Sequence, residues 1–320
     1  MTVYKLRSMQ KNRKINSWIE EFLASDPPRS KSLVMTIFGD AIVPHGGMVW
    51  TGSLIELLAP FGVNDRLLRT SVFRLAQEGW LGAQRDGRRS SYAITPDAMR
   101  RFSRAFRRIY APLNVHWNGQ WTLVLATDGL DAPARGQLRK ELLWEGYSVI
   151  APGIAGHPAG DMEALEALLS RLGLLQKVYV VQASEVPGLR ARPLGEMVAD
   201  GWDLSEVAAG YEKFVATFSV LPGLLADAGA IDPEQAFVLR TLLIHAYRRV
   251  QLHDPQLPIE LLPEPWPGAR AYELASQLYR QLTAPAERHI LAALQREDPG
   301  APHPESSYHQ RFGGGALPTG

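Results

Sequence analysis

With 320 residues, 46% of them hydrophobic, and a formal charge of +1, the chain is sized for two or three globular domains. It has no cysteine, which excludes disulfide frameworks, thiolate nucleophiles and Cys-ligated zinc. No apolar run approaches the roughly 18–20 residues that cross a bilayer, and the basic N-terminus (Lys5, Arg7, Lys11, Arg13, Lys14) lacks the apolar stretch of a secretory signal, so a cytoplasmic protein is expected.

The near-neutral total hides an asymmetry. Residues 1–110 carry 18 Lys and Arg against 9 Asp and Glu, whereas the remainder carry 16 against 24. A basic module joined to an acidic body is expected to meet a polyanion with its first part; the alternative is chance clustering on solvated faces. In chain order, Ser30 or Ser32 can cap a first helix bearing Leu33, Val34, Ile37 and Phe38, ending near Gly39. His45-Gly46-Gly47 breaks the chain, and Thr51 is the expected N-cap of a short helix with Leu54, Ile55, Leu57 and Leu58 that stops at Pro60. Gly62 supplies a turn and Asn64 the cap of a third helix from Asp65 to about Glu78. Two short helices about a Gly-containing turn predict a helix-turn-helix.

A wing is expected next. Leu81–Arg85 and Ser90–Ile94 read as strands around Asp86-Gly87-Arg88-Arg89, and Asp-Gly between strand-like runs is a strong hairpin signal. On the third helix, Leu68, Val72, Leu75 and Ala76 share the core side, with Arg66, Thr70, Phe73 and Gln77 opposite and Arg69 and Arg74 flanking. Arg pairs with guanine, Gln with adenine, and Thr offers a hydroxyl or a methyl, so this face suits the major groove. Thr95-Pro96 then opens a linker helix carrying Arg100, Arg101, Arg104, Arg107 and Arg108 that Pro112 ends.

Downstream the pattern alternates: strand Trp121–Ala126, helix Ala132–Glu145, strand Tyr147–Ile150, a short strand near Gly153–Gly156, helix Asp161–Leu172 and strand Val178–Ala183. That order is the ferredoxin-like plan. Beyond Pro193 the chain reads as helical. A helix capped at Asp232-Pro233 is apolar nearly all round and is expected to be buried, yet Thr241, His245 and Arg248 lie on one face with Arg249 adjacent. Buried charge demands a partner, either an interdomain carboxylate or an anionic ligand.

Several segments together resemble the PaaX family of bacterial repressors of phenylacetic acid degradation. They are Gly39-Asp40, His45-Gly46-Gly47, Trp50-Thr51-Gly52-Ser53-Leu54, the run Val63 to Leu75, Glu78-Gly79-Trp80-Leu81 and Gly87-Arg88-Arg89-Ser90-Ser91-Tyr92. Further matches follow in order: Trp117-Asn118-Gly119-Gln120-Trp121, Leu242 to Arg249, Asp254-Pro255-Gln256-Leu257-Pro258, Leu261-Leu262-Pro263 with Trp266, and Tyr308 to Gly314. A longer N-terminal arm and an early end after Arg-Phe-Gly-Gly are departures that leave the DNA-reading residues untouched. The resemblance implies a middle domain like the Cas2 nucleases, in which Asp128 would stand near a metal-binding aspartate; one carboxylate without partners is a poor metal site, and Asp128 is read as a turn residue. It also implies a homodimer on a palindromic double-stranded DNA operator, released by an aryl-CoA effector such as phenylacetyl-CoA.

The expected fold is therefore α+β: a basic arm (1–30), a winged helix-turn-helix with linker helix (31–112), a ferredoxin-like, Cas2-like middle domain (113–190), a mostly helical effector and dimerisation domain (191–300) and a flexible tail (301–320). Expected DNA contacts are Arg66, Arg69, Thr70, Ser71 and Arg74 on the helix and Arg85, Arg88, Arg89 and Tyr92 on the wing. Expected effector contacts are Thr241, His245, Arg248 and Arg249. No catalytic residue, metal or cofactor is expected. The competing classes are an enzyme acting on CoA esters or nucleic acid, for which no nucleophile elbow, His-Glu-x-x-His or phosphate loop is present, and an architectural or activating DNA-binding protein.

Overall fold

A computed structural model describes residues 11–110, 117–126, 129–186, 192 and 194–313. In chain order it contains α1 (Arg13–Ser25), α2 (Ser30–Ile37), β1 (Met48–Trp50), α3 (Thr51–Leu58), α4 (Asp65–Gln77), β2 (Leu81–Asp86), β3 (Arg89–Ile94) and α5 (Pro96–Tyr110). There follow β4 (Trp121–Ala126), α6 (Ala132–Trp144), β5 (Ser148–Ala151), β6 (Ile154–His157), α7 (Met162–Leu172) and β7 (Val178–Ala183). The rest is helical: α8 (Leu194–Gly201), α9 (Ser205–Phe218), α10 (Leu221–Ala228), α11 (Pro233–Gln251) and α12 (Pro267–Gln295). Asp128 lies outside the described residues.

These residues divide into two compact units. The first draws on Met1–Ala111, Phe214–Arg249 and Ala271–Gly320, the second on Pro112–Lys213 and Val250–Arg270. In the second unit the expected β-α-β-β-α-β order forms an antiparallel sheet in the order β5-β6-β4-β7. Leu123 on β4 pairs with Gly156 on one side and Val181 on the other. Val124 points to the helix-covered face, where Leu138, Leu142, Leu165, Leu168 and Leu169 bury against it. The period-2 alternation sends Trp121 the other way, onto Val198 and Leu257.

In the first unit, Asn12 caps α1 by accepting from Lys14 N and Ile15 N, and Ile15, Ile19 and Phe22 bury the face that their spacing lines up. Trp18 and Phe22 stack on each other and meet Phe218 at a tilt, and the Gln235 amide group bonds the backbone of Asn12 and the side chain of Asn16. Helix α11 is buried on all sides from Gln235 to His245, through Phe237, Leu239, Leu242 and Leu243, as its composition requires. The end of α2 widens into a π-turn, Phe38–Ile42, every residue of which is buried.

Two expectations need correction here. Thr51 is not the cap of α3: Trp50 holds that position without a side-chain bond, and the Thr51 hydroxyl donates instead to Ser90 O on β3 (2.7 Å). Nor are residues 301–313 a flexible tail. Ser306–Gly313 turns in 3-10 fashion with a kink at Arg311 and Phe312, and it buries Tyr308 and Phe312. Arg311 donates to Asp40 O and Oδ1 (each 3.0 Å) and to Tyr279 OH (2.7 Å), with its guanidinium over Phe106, Tyr110 and Tyr308. Composition misled because Pro, Gly, Ser and His make up most of this stretch, while two aromatics and one arginine decide its packing.

Candidate nucleic-acid interface

Helix α4 is presented by its own cap and by its partners. Gly62 takes the left-handed conformation (φ 72°) that the turn before it requires, and Asn64 Oδ1 accepts from Leu67 N (2.9 Å). Leu68, Val72 and Leu75 are buried, so Arg66, Arg69, Thr70, Phe73, Arg74 and Gln77 stand in solvent on the opposite side. Asp65 pairs with Arg69 one turn on (2.9 Å), extending that guanidinium along the helix. Thr70 spends its hydroxyl on Arg66 O (2.9 Å), which leaves its methyl outward.

Ser71 departs from the expected set. It is 4% exposed, donates to Leu67 O and accepts from Ser30 on α2 (each 2.9 Å), so it belongs to the seam between α4 and α2. A residue one step from an exposed face rotates by 100° on a helix, which carries Ser71 from the solvent side to the core.

Strands β2 and β3 pair from Leu81↔Ile94 to Asp86↔Arg89, and β1 pairs on the other side of β3, giving the order β1-β3-β2. Gly87 turns the hairpin with φ 57°. Arg85 and Arg88 are exposed and have no acidic partner among the described residues. Arg89 is engaged: its guanidinium lies 4.3 Å above the Trp50 ring and bonds Glu297. Tyr92 is half-buried, opposite Val49 on β1 and Ala83 on β2. On α5, Arg100 pairs with Asp97 and Arg101 covers the Trp80 ring.

The second predicted group lies on α11 and faces α2 and the end of α1. His245 Nδ1 meets Thr36 Oγ1 (2.9 Å), Arg248 Nη2 donates to Ser32 Oγ (3.0 Å) and Arg249 reaches Asp26 (3.4 Å). Thr241 is 1% exposed. Burial, then the charges of Arg248 and Arg249, push His245 down to about 3, so it is neutral at physiological pH. Burial likewise lowers Arg248, whose Nε makes no hydrogen bond among the described residues.

A third group was not singled out in the sequence. Arg240, fully buried on α11, pairs with Asp40 (2.9 Å) and Glu287 (2.7 Å) and donates to Tyr308 OH (2.6 Å). Asp40 also accepts from Tyr110 and Tyr279, and His45 bonds both Glu287 and Pro302 O. Burial opposes charge on Glu287, but Arg240 and the bonds from His45 and Tyr308 outweigh it and hold the carboxyl down to about 2. Asp40 and Arg311 sit inside motifs quoted above, yet spacing cannot pair residues 271 apart. Among the described residues no group of His, Asp and Glu is arranged to hold a metal ion, and no helix is long and apolar enough to cross a membrane.

Three family models match the chain in order: PaaX-like protein at residues 29–98, PaaX protein central Cas2-like domain at 114–193 and PaaX-like protein C-terminal domain at 202–292. The transcriptional repressor PaaX of Escherichia coli (strain K12) is 37% identical over 303 residues, covering 94% of this chain and 95% of that protein. Among solved structures, the uncharacterized protein Rv0674 from Mycobacterium tuberculosis matches at a TM-score of 0.50 and 24% identity, over 81% of this chain and 97% of that one, a likeness of fold.

Proposed function

This chain belongs to the PaaX family, and from that premise we propose that it is a DNA-binding transcriptional repressor of phenylacetate catabolic genes. The single observation that carries the reading is the exposed face of α4, with Arg66, Arg69, Thr70, Arg74 and Gln77 in solvent beside a hairpin bearing Arg85 and Arg88. In this reading α3 and α4 are the pair of a winged helix-turn-helix, α4 enters the major groove and β2-β3 is the wing. Phe73, 61% exposed amid these arginines, supports it, since a large apolar side chain there is suited to a thymine methyl.

The operator is a palindrome read by a homodimer, and an aryl-CoA ester, phenylacetyl-CoA first, releases it by favouring a dimer geometry that no longer matches two half-sites. Arg248 supports an anionic effector, because its buried Nε is a donor unfilled among the described residues, on the same helix as His245, Thr241 and Arg249. The chain acts without catalysis; turnover of an acyl-CoA by the purified protein overturns that.

The test is a titration of the chain against the DNA upstream of its own gene, with and without saturating phenylacetyl-CoA. Arg69→Ala is expected to cost about 1–3 kcal/mol of specific binding if it reads a base. Normal binding by that variant removes α4 as the recognition helix. Unchanged affinity with phenylacetyl-CoA removes it as effector, and a panel of aryl-CoA esters then decides whether the chain governs another aromatic pathway.

A further inference from the structure

The chain leaving α12 runs along the wing side of the first unit. Glu297 presents two acceptors to one donor: Arg89 Nη2 bonds its backbone oxygen (2.7 Å) and its Oε2 (3.0 Å). The Arg89 guanidinium is seated on the Trp50 ring, so its position is set on one face by the aromatic and at its edge by the acid. The carboxylate also lies against the first turn of α3, where a Cβ on residue 52 would overlap Glu297 Oε1; glycine leaves that space open. One residue earlier, Arg296 reaches Glu56 on the same helix (3.0 Å). Arg85 and Arg88 carry no comparable acid, so Glu297 covers one wing arginine selectively.

The place that Glu297 fills has the chemistry of a phosphate contact. In a helix-turn-helix the first helix of the pair crosses the DNA backbone, and here that helix is α3, beginning at the covered position. Arg binds a phosphodiester in the way it binds a carboxylate, donating N–H groups to two oxygens. The contact is also displaceable. The side chains of Arg89 and Glu297 are 48% and 33% exposed, against 7% and 1% for Arg311 and Asp40, so solvent screens the first pair and not the second.

We propose that Trp50, Gly52 and Arg89 form a DNA-phosphate site on the wing, and that Glu297 occupies it in this structure as an intramolecular competitor of the DNA backbone. The site is autoinhibited: the segment that follows α12 must leave before Arg89 engages DNA, which couples the position of that segment to affinity. The inference rests on the reading of α4 and the wing as the DNA-binding surface.

The experiment measures binding of labelled upstream DNA and of a random-sequence duplex by wild type, Glu297→Gln, Arg89→Ala and the double variant, over a range of salt. Glu297→Gln is expected to tighten both DNAs about three- to tenfold and to steepen the salt dependence by about one released counterion. Arg89→Ala is expected to cancel the gain, so that the double variant binds like Arg89→Ala alone. Weaker binding by Glu297→Gln overturns the proposal, since Glu297 would then be positioning Arg89 for DNA. An equal gain in the Arg89→Ala background also overturns it, as the effect would be a general change of charge. If wild type binds DNA and Glu297→Gln gains nothing, the autoinhibition falls and the DNA-binding reading stands. If no variant binds either DNA, both fall together.

Discussion

Asp40 shows how one residue type acquires its meaning from burial. At 1% exposure it accepts hydrogen bonds from Tyr110, Tyr279 and Arg311 and faces Arg240. Removing its charge leaves the buried Arg311 without its carboxylate and Arg240 with Glu287 alone, so Asp40→Asn is expected to cost about 3–5 kcal/mol of stability, read from a urea unfolding curve. His245 is the opposite case, held neutral because burial beside Arg248 and Arg249 penalises its cation. Unfolded, it takes up a proton near 6.5; folded, it resists to about 3. Its contribution is therefore complete above pH 6.5 and drains away as pH falls through that window, by on the order of 5 kcal/mol. Glu287, lowered from 4.5 to about 2, adds a loss between those two values. A His245→Asn variant is expected to flatten the stability profile between pH 6.5 and about 5.5, above the range in which Glu287 titrates.

At the scale of elements, α4 divides its positions between packing and display. The cap at Asn64 and the buried trio Leu68, Val72 and Leu75 hold the helix, and the remaining face is free. Ser71 belongs to the first class, as its bonds to Leu67 O and Ser30 show. Ser71→Ala is expected to leave operator specificity unchanged and to lower stability by about 0.5–1.5 kcal/mol, measured by DNA titration and by thermal unfolding. A large loss of sequence discrimination in that variant returns Ser71 to the reading face. The hairpin is divided in the same way: Arg85 and Arg88 are displayed, Tyr92 is half-buried within its sheet, and Arg89 is tied to Trp50 and Glu297.

On the scale of the whole molecule, the first unit is assembled from both ends of the chain. Ending the chain after Pro304 removes Tyr308 and Arg311, and with them the donors to Glu287 and Asp40 and the aromatic surface of Phe312. That truncation is expected to cost about 3–5 kcal/mol, seen as a lower urea midpoint, where loss of a loose tail would cost nothing. The strand and helix order of the second unit, the α4 face and the Asp-Gly hairpin were all legible in the sequence, because each follows from local periodicity or a turn residue whose partners are near in the chain. The quoted motifs also carried the family. What only tertiary structure decided is the pairing of distant residues: Asp40 with Arg240 and Arg311, Thr36 with His245, and Arg89 with Glu297. A charge in a sequence does not show whether water or another side chain will satisfy it. That is settled when the chain closes and burial removes the water.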